Sequence, residues 1–198
     1  MGGIGMTRAQ AWELLTTHLS TPNLLKHSLA TEAVMRAAAK RLGEDEDYWG
    51  ITGLLHDLDL DLVGPDMAVH TRKTAEILRA AGIDETAVDA IVRHNEAQGL
   101  PRETKLHHAL AACETITGLV TATALVYPDE NLASVKPKSV VKRMKEKAFA
   151  AAVSRPLILE CELIGIPLAE FAELAVEAMR GIAGELGLDG TLAQGATP

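Results

Sequence analysis

Apolar residues recur at three- and four-residue spacing in one segment after another, and glycine, proline or short polar runs separate the segments. Thr7 caps a predicted first helix through Trp12, Leu14, Leu15 and Leu19 that ends near Ser20. Thr21-Pro22 opens a second that runs to Leu42 and stops at Gly43, with Leu24, His27, Ala30, Thr31, Val34 and Ala38 sharing one stripe. The acidic run Glu44 to Asp47 favours the start of a third, which passes through Trp49, Ile51, Leu54 and Leu55 to His56-Asp57. Asp59 to Pro65 reads as a loop, and Asp66 as the cap of a helix carrying His70, Thr74, Ile77 and Leu78 to Gly82. Asp84 to Asn95 places Val88, Ile91 and Val92 on an apolar face with His94 at its end. After Gly99-Leu100-Pro101, a long helix is predicted from about Glu103 to Tyr127. Further helices are expected over Ser134 to Lys147, Leu157 to Ile164 and Ala169 to Leu186.

The pattern predicts an all-α fold, a single bundle of about eight or nine helices. Composition agrees: 47% of residues are hydrophobic but only 3% aromatic, so helix-forming Ala and Leu carry the apolar content. The 198 residues are expected to form one domain, with a core over about 22–127, a helical extension over about 137–186, and disorder over 1–6 and 190–198. A formal charge of −8 argues against stable coating of nucleic acid or acidic membrane. No apolar run is read as reaching the roughly 18 residues of a membrane span, and the start lacks the apolar core of a secretion signal, so a cytoplasmic location is expected. Cys113 and Cys161, both in apolar helical context, read as buried free thiols.

Chemistry concentrates in Gly53 to Asp61, where His56 and Asp57 end an apolar run and Asp59 and Asp61 follow. Buried imidazole beside carboxylate needs hydrogen bonds or a cation, and metal ligation is the economical explanation. His27, His70, His94 and Glu114 extend the donor series. Three of these have a plainer alternative: a hydrogen-bonded core histidine for His27, a favourable dipole contact for His94, an interhelical hydrogen bond for Glu114. His107 and His108 read as surface residues. Lys136, Lys138, Lys142 and Arg143 lie in the one strongly basic stretch, either a solvated helix face or a means of drawing phosphate to a site.

Taken together, these donors resemble the HD superfamily of metal-dependent phosphohydrolases, whose signature is a histidine, a later His-Asp doublet and a distant aspartate on a helical bundle. The resemblance spans about Leu24 to Leu186 and is nearest to small bacterial predicted hydrolases of the HDIG type. It rests on HDLDLDL from His56, HTRKTAEIL from His70, IVRHNEA from Ile91, AACETITGLVTATALVYP from Ala111 and the KPKSVVKRMKEKAFAAAVSR stretch.

The resemblance implies an HD-domain bundle with an interior metal site, in which His27, His56 and Asp57 hold one ion, Glu114 stands where aspartate is usual, and His70 and His94 serve a second ion. Asp57 is the implied catalytic residue, and Lys136, Lys138, Lys142 and Arg143 the implied phosphate contacts. Asn95 stands where some two-metal relatives have histidine, and Asp59-Leu60 where many HDIG-type enzymes have glycine and lysine. The implied reaction is hydrolysis of a nucleotide or other small phosphorylated metabolite by a metal-activated water. One or two divalent transition metals are expected, Mn, Fe, Co, Ni and Zn suiting the donors alike. Two rival readings share the donors: a di-iron oxygenase of the same superfamily, and a non-catalytic, metal-containing nucleotide-binding or regulatory module.

Overall fold

Thr21 in an extended conformation followed by Pro22 at the first helical position starts the chain's first long helix, and Gly43, at φ 70°, ends it. The computed structural model of the protein describes residues 3–191. It contains α1 (Arg8–His18), α2 (Pro22–Leu42), α3 (Glu46–Leu55), α4 (Leu60–Val63), α5 (Arg72–Ala80), α6 (Glu85–His94), α7 (Lys105–Leu125), α8 (Pro137–Arg143), α9 (Arg155–Leu159), α10 (Leu168–Arg180) and α11 (Ala183–Leu186). Single 3-10 turns cover Glu96–Gln98, Leu132–Ser134 and Glu160–Glu162. The described residues hold no β-strand, only an isolated antiparallel bridge between Asn131 and Asp189. The fold is all-α, with more and shorter helices than the periodicity predicts because the C-terminal third breaks repeatedly at turns.

α2 and α7 pack on each other at the centre; α3 lies on α2, α6 and α9 on α7, and α10 on α2, α7 and α8. α3 approaches α2 closely because two glycines, Gly50 and Gly53, lie one turn apart on the facing side. A Cβ on Gly53 would stand 2.8 Å from Met35 Cγ and 3.1 Å from the Thr31 carbonyl oxygen; one on Gly50 would meet Arg36 Cγ at 2.5 Å. Arg36 fills the space over Gly50 and reaches Glu32 at 3.0 Å and Asp47 at 2.7 Å. Glu32, almost fully buried, also takes Arg8 of α1 at 3.0 Å, so a chain of ion pairs through Glu32 and Arg36 ties α1, α2 and α3.

α7 corrects the expectation that no apolar run reaches span length: it is long and apolar enough by composition to cross a membrane. Its Ala109, Leu110, Cys113, Ile116 and Val120 are fully buried against neighbouring helices, which is how a core helix satisfies the same test. Both cysteines are free and buried.

Other expectations need correction. The loop read at Asp59 to Pro65 contains α4. The helix expected after Asp66 begins at Arg72, because Thr71 adopts φ 71°, a left-handed conformation strained for a β-branched residue, and His70 precedes it in a turn. Ile4, within the segment expected to be disordered, is buried, and its carbonyl accepts from the Asp84 N–H at 3.0 Å. Gly190 is likewise buried; residues 1–2 and 192–198, covered by the same expectation, lie outside the described residues.

Asp61 links α4 to the start of α2: its carboxylate accepts from the N–H groups of Ser20 and Thr21 at 2.6 and 2.9 Å and from the Thr21 hydroxyl at 2.6 Å. These bonds lower its pKa from 3.8 to about 2. A carboxyl lowered on folding stabilises the protein above its unfolded pKa and loses that contribution as pH falls through the folded one. Acid titration of stability should therefore show a component between about pH 4 and pH 2 that is absent in Asp61→Asn. At the α2–α3 contact, Gly53→Val should lower unfolding free energy by about 1–3 kcal/mol in denaturant titration.

Candidate metal centre

Two of the histidines stand where helices end, and the reason is local. The last carbonyls of a helix lack intrahelical partners. His56 follows α3 and its Nδ1–H donates to the Gly53 carbonyl at 2.7 Å; His94 closes α6 and its Nδ1–H donates to the Ile91 carbonyl at 2.6 Å. Both rings thereby carry the proton on Nδ1 and turn an unprotonated Nε2 inward.

The other two anchor Nδ1 through distant partners. The Thr117 hydroxyl of α7 donates to the Glu114 carbonyl at 2.6 Å, so it accepts from His27 Nδ1–H at 3.1 Å, leaving His27 Nε2 bare. His70 Nδ1–H donates to Asp59 Oδ1 at 2.7 Å. The second oxygen of Asp59 accepts from the N–H groups of Thr71 and Thr74 at 2.9 and 3.0 Å. Asp59 thus orients His70, caps α5 from a distance and holds Thr71 in its strained conformation. Asn95, read as replacing a ligand, instead clips the His70 turn: its amide donates to the carbonyls of Met67 and His70 at 2.8 and 3.0 Å.

All four Nε2 atoms converge on Asp57, which divides them in pairs. Oδ2 lies 3.3 Å from His56 and 3.6 Å from His27; Oδ1 lies 3.3 Å from His70 and 3.4 Å from His94. His27, His56 and Asp57 form one group able to hold a metal ion, and Asp57, His70 and His94 a second. The residues fit a cation on their own chemistry: His27 Nε2 and His56 Nε2 face each other at 3.1 Å with no proton between them, an arrangement of two lone pairs that a positive ion reconciles. The donors are imidazole and carboxylate without thiolate, the set that binds divalent transition metals.

The electrostatics point the same way. Burial, reinforced by His56, draws His27 down to about 4, which keeps it neutral and able to ligate. Burial would raise Asp57, but the surrounding histidines outweigh it and hold the carboxyl well below its usual range. Burial likewise opposes the charged form of His70, yet Asp57 and Asp59 pull it up to about 9, so its position calls for positive charge.

Glu114 departs from the expected ligand set. Its Oε2 is 4.0 Å from His27 Nε2 and it belongs to neither metal-binding group, while its Oε1 accepts from the Thr115 hydroxyl at 2.5 Å. Burial pushes its pKa up to about 7.

The basic stretch is also displaced. Lys142 and Arg143 line a cavity with Thr123 and Tyr127 at the end of α7, and Lys136 and Lys138 line another against α10; neither contains a histidine. Arg143 pairs with Glu146 and stacks 4.1 Å from the Phe149 ring centroid. His107 corrects the surface reading: it is buried, takes the N–H of Glu103 at 3.1 Å, and meets Asp89 at 3.1 Å. His108 is mostly covered and donates to Glu160 at 2.7 Å.

Sequence reasoning missed Asp59 and Thr117 as parts of this centre. Asp59 stands two residues after Asp57, but the fact that it serves His70 follows from chain folding. Replacing it by Asn should weaken the ion held through His70 by about 10–100-fold, read by metal titration, while the His27, His56 and Asp57 group keeps its ion.

Residues 24–118 match the family model described as HD domain, a span that holds all four histidines, Asp57, Asp59 and Glu114. Neither the curated proteins nor the solved structures give a match. The helical architecture, the His-Asp doublet at the close of α3 and the family match agree, and residues 24–118 form an HD domain.

Proposed function

We propose that the protein is a metal-dependent phosphohydrolase acting on a nucleotide or other small phosphorylated metabolite. The observation that carries the reading is Asp57, whose two oxygens each serve a separate histidine pair at the floor of a cavity of about 470 Å³. Bound there, divalent ions supply Lewis acidity toward a phosphoryl oxygen and a water. The HDIG-type motifs quoted above support the same reading.

In this hydrolysis a water oxygen bonds to phosphorus, the ester P–O bond breaks, and a proton goes to the departing oxygen. The chain's part is to position and to move protons. Thr117, Asp59 and the carbonyls of Gly53 and Ile91 each take an Nδ1–H, which aims every Nε2 at Asp57. Asp57 supplies the negative charge that holds the ions and orients the water. Glu114 lines the cavity that contains Asp57, His70 and His94 and also the adjoining one reached past His27. With Oε1 engaged by Thr115, its Oε2 is the atom placed to carry a proton between water and leaving group.

Asp57→Ala should abolish metal retention and His56→Ala should lose the ion of its own group, each with modest loss of helical circular dichroism, and phosphate release should vanish in both. Metal unchanged in both variants would remove the site assignment. Two irons with dioxygen consumption and no phosphate release would transfer the centre to the oxygenase reading. Glu114→Gln should keep the metal and lower turnover by about 10²–10⁴-fold; loss of metal instead would make Glu114 a ligand.

A further inference from the structure

On the far side of His27 from Asp57 lies a cavity of about 450 Å³ between α2, α7 and the end of α11. His27 and Gly118 line both this cavity and the one containing Glu114, which in turn shares Glu96, Glu114 and Leu157 with the cavity over Asp57. The three spaces therefore adjoin in series, a stepped trough past the metal centre. Gly118 sits between the first two, in the middle of α7, where glycine costs roughly 1 kcal/mol relative to alanine. A Cβ there would stand 3.2 Å from Val153 Cγ2, narrowing the junction.

The lining of the outer compartment is selective. Leu125, Leu186 and Leu188 give it an aliphatic wall, and Asn23 and Thr121 add polar groups. Lys26, half-buried, is its one cation and makes no ion pair among the described residues. Neither a carboxylate nor a Phe, Tyr or Trp ring lines it, so it offers a base or sugar little to stack on and nothing anionic to accept hydroxyl donors. A half-buried ammonium facing an aliphatic wall is matched by an anion at the end of a short apolar chain.

We propose that this compartment is the subsite for the non-reacting end of the substrate, that Lys26 is its specificity-determining residue, and that the substrate class is an aliphatic organophosphate with a second anionic group. The inference rests on the phosphohydrolase reading for which end of the substrate reacts. It narrows that reading from nucleotides toward small aliphatic metabolites. Lys26, adjacent to a metal-binding histidine, takes the role first sought in the 136–143 stretch.

The test uses stable phosphonates, so binding is read without turnover. Alkyl monophosphonates and α,ω-bisphosphonates of three to six carbons are titrated calorimetrically into protein as purified, with its metal content recorded. At the best chain length the bisphosphonate should bind about tenfold more tightly than the monophosphonate. In Lys26→Gln, checked for unchanged metal content, the difference should fall to about twofold or less. Ala122→Phe, which fills the aliphatic side of the cavity, should weaken the longer bisphosphonates most. Equal binding of the two probes by the wild type, no binding of either, or a preference that survives Lys26→Gln overturns the proposal. Phosphate release from the matching alkyl bisphosphates is measured separately: preference without release would leave the subsite standing and remove the hydrolase reading.

Discussion

One buried carboxylate, Asp57, faces four imidazole nitrogens within 3.6 Å, and the rest of the structure is arranged so that each ring turns its Nε2 to that carboxylate. Such a cluster is costly in a folded protein unless positive charge enters it. Every ring has its Nδ1–H committed outward, to Gly53, Ile91, Thr117 or Asp59. Removing one anchor frees a ring to rotate or to change tautomer, and the convergence on Asp57 is lost.

The anchors also explain why the scaffold has its form. Gly53 serves twice: its carbonyl fixes His56, and its lack of a side chain lets α3 press against α2 so that His27 and His56 meet. α7 supplies Thr117 and Glu114 from an otherwise apolar helix, which is why a span of membrane-like composition lies in the core. The strain at Thr71 is offset by the charged Asp59 accepting its N–H, and the same carboxylate holds His70. Backbone stability and ligand orientation therefore share their residues.

Charge around the centre is distributed differently from the pattern of lysines along the chain. The densest basic stretch folds onto other cavities, with Arg143 already paired, whereas a single lysine beside His27 faces the trough. Glu114 lies outside both ligand groups and lines the cavity wall, where burial lifts its pKa toward neutrality.

What the sequence by itself determined was whatever has a local cause. Thr21-Pro22 and Gly43 bound α2, Asp45 caps α3, and the three-and-four spacing placed the apolar faces. His56 and His94 were legible as special because each ends a helix and binds a carbonyl three residues back, an interaction within one turn. Tertiary structure alone decided the contacts across long separations: Thr117 with His27, 90 residues apart, Asp59 with His70 across a turn, and Lys26 rather than Lys136 facing the trough. It also decided that Glu114 belongs to neither ligand group, since the position of its carboxyl is set by how α7 packs on α2. Spacing along a chain reports hydrogen bonds made within a turn of helix; it carries no record of which distant hydroxyl or carboxylate will take the remaining proton.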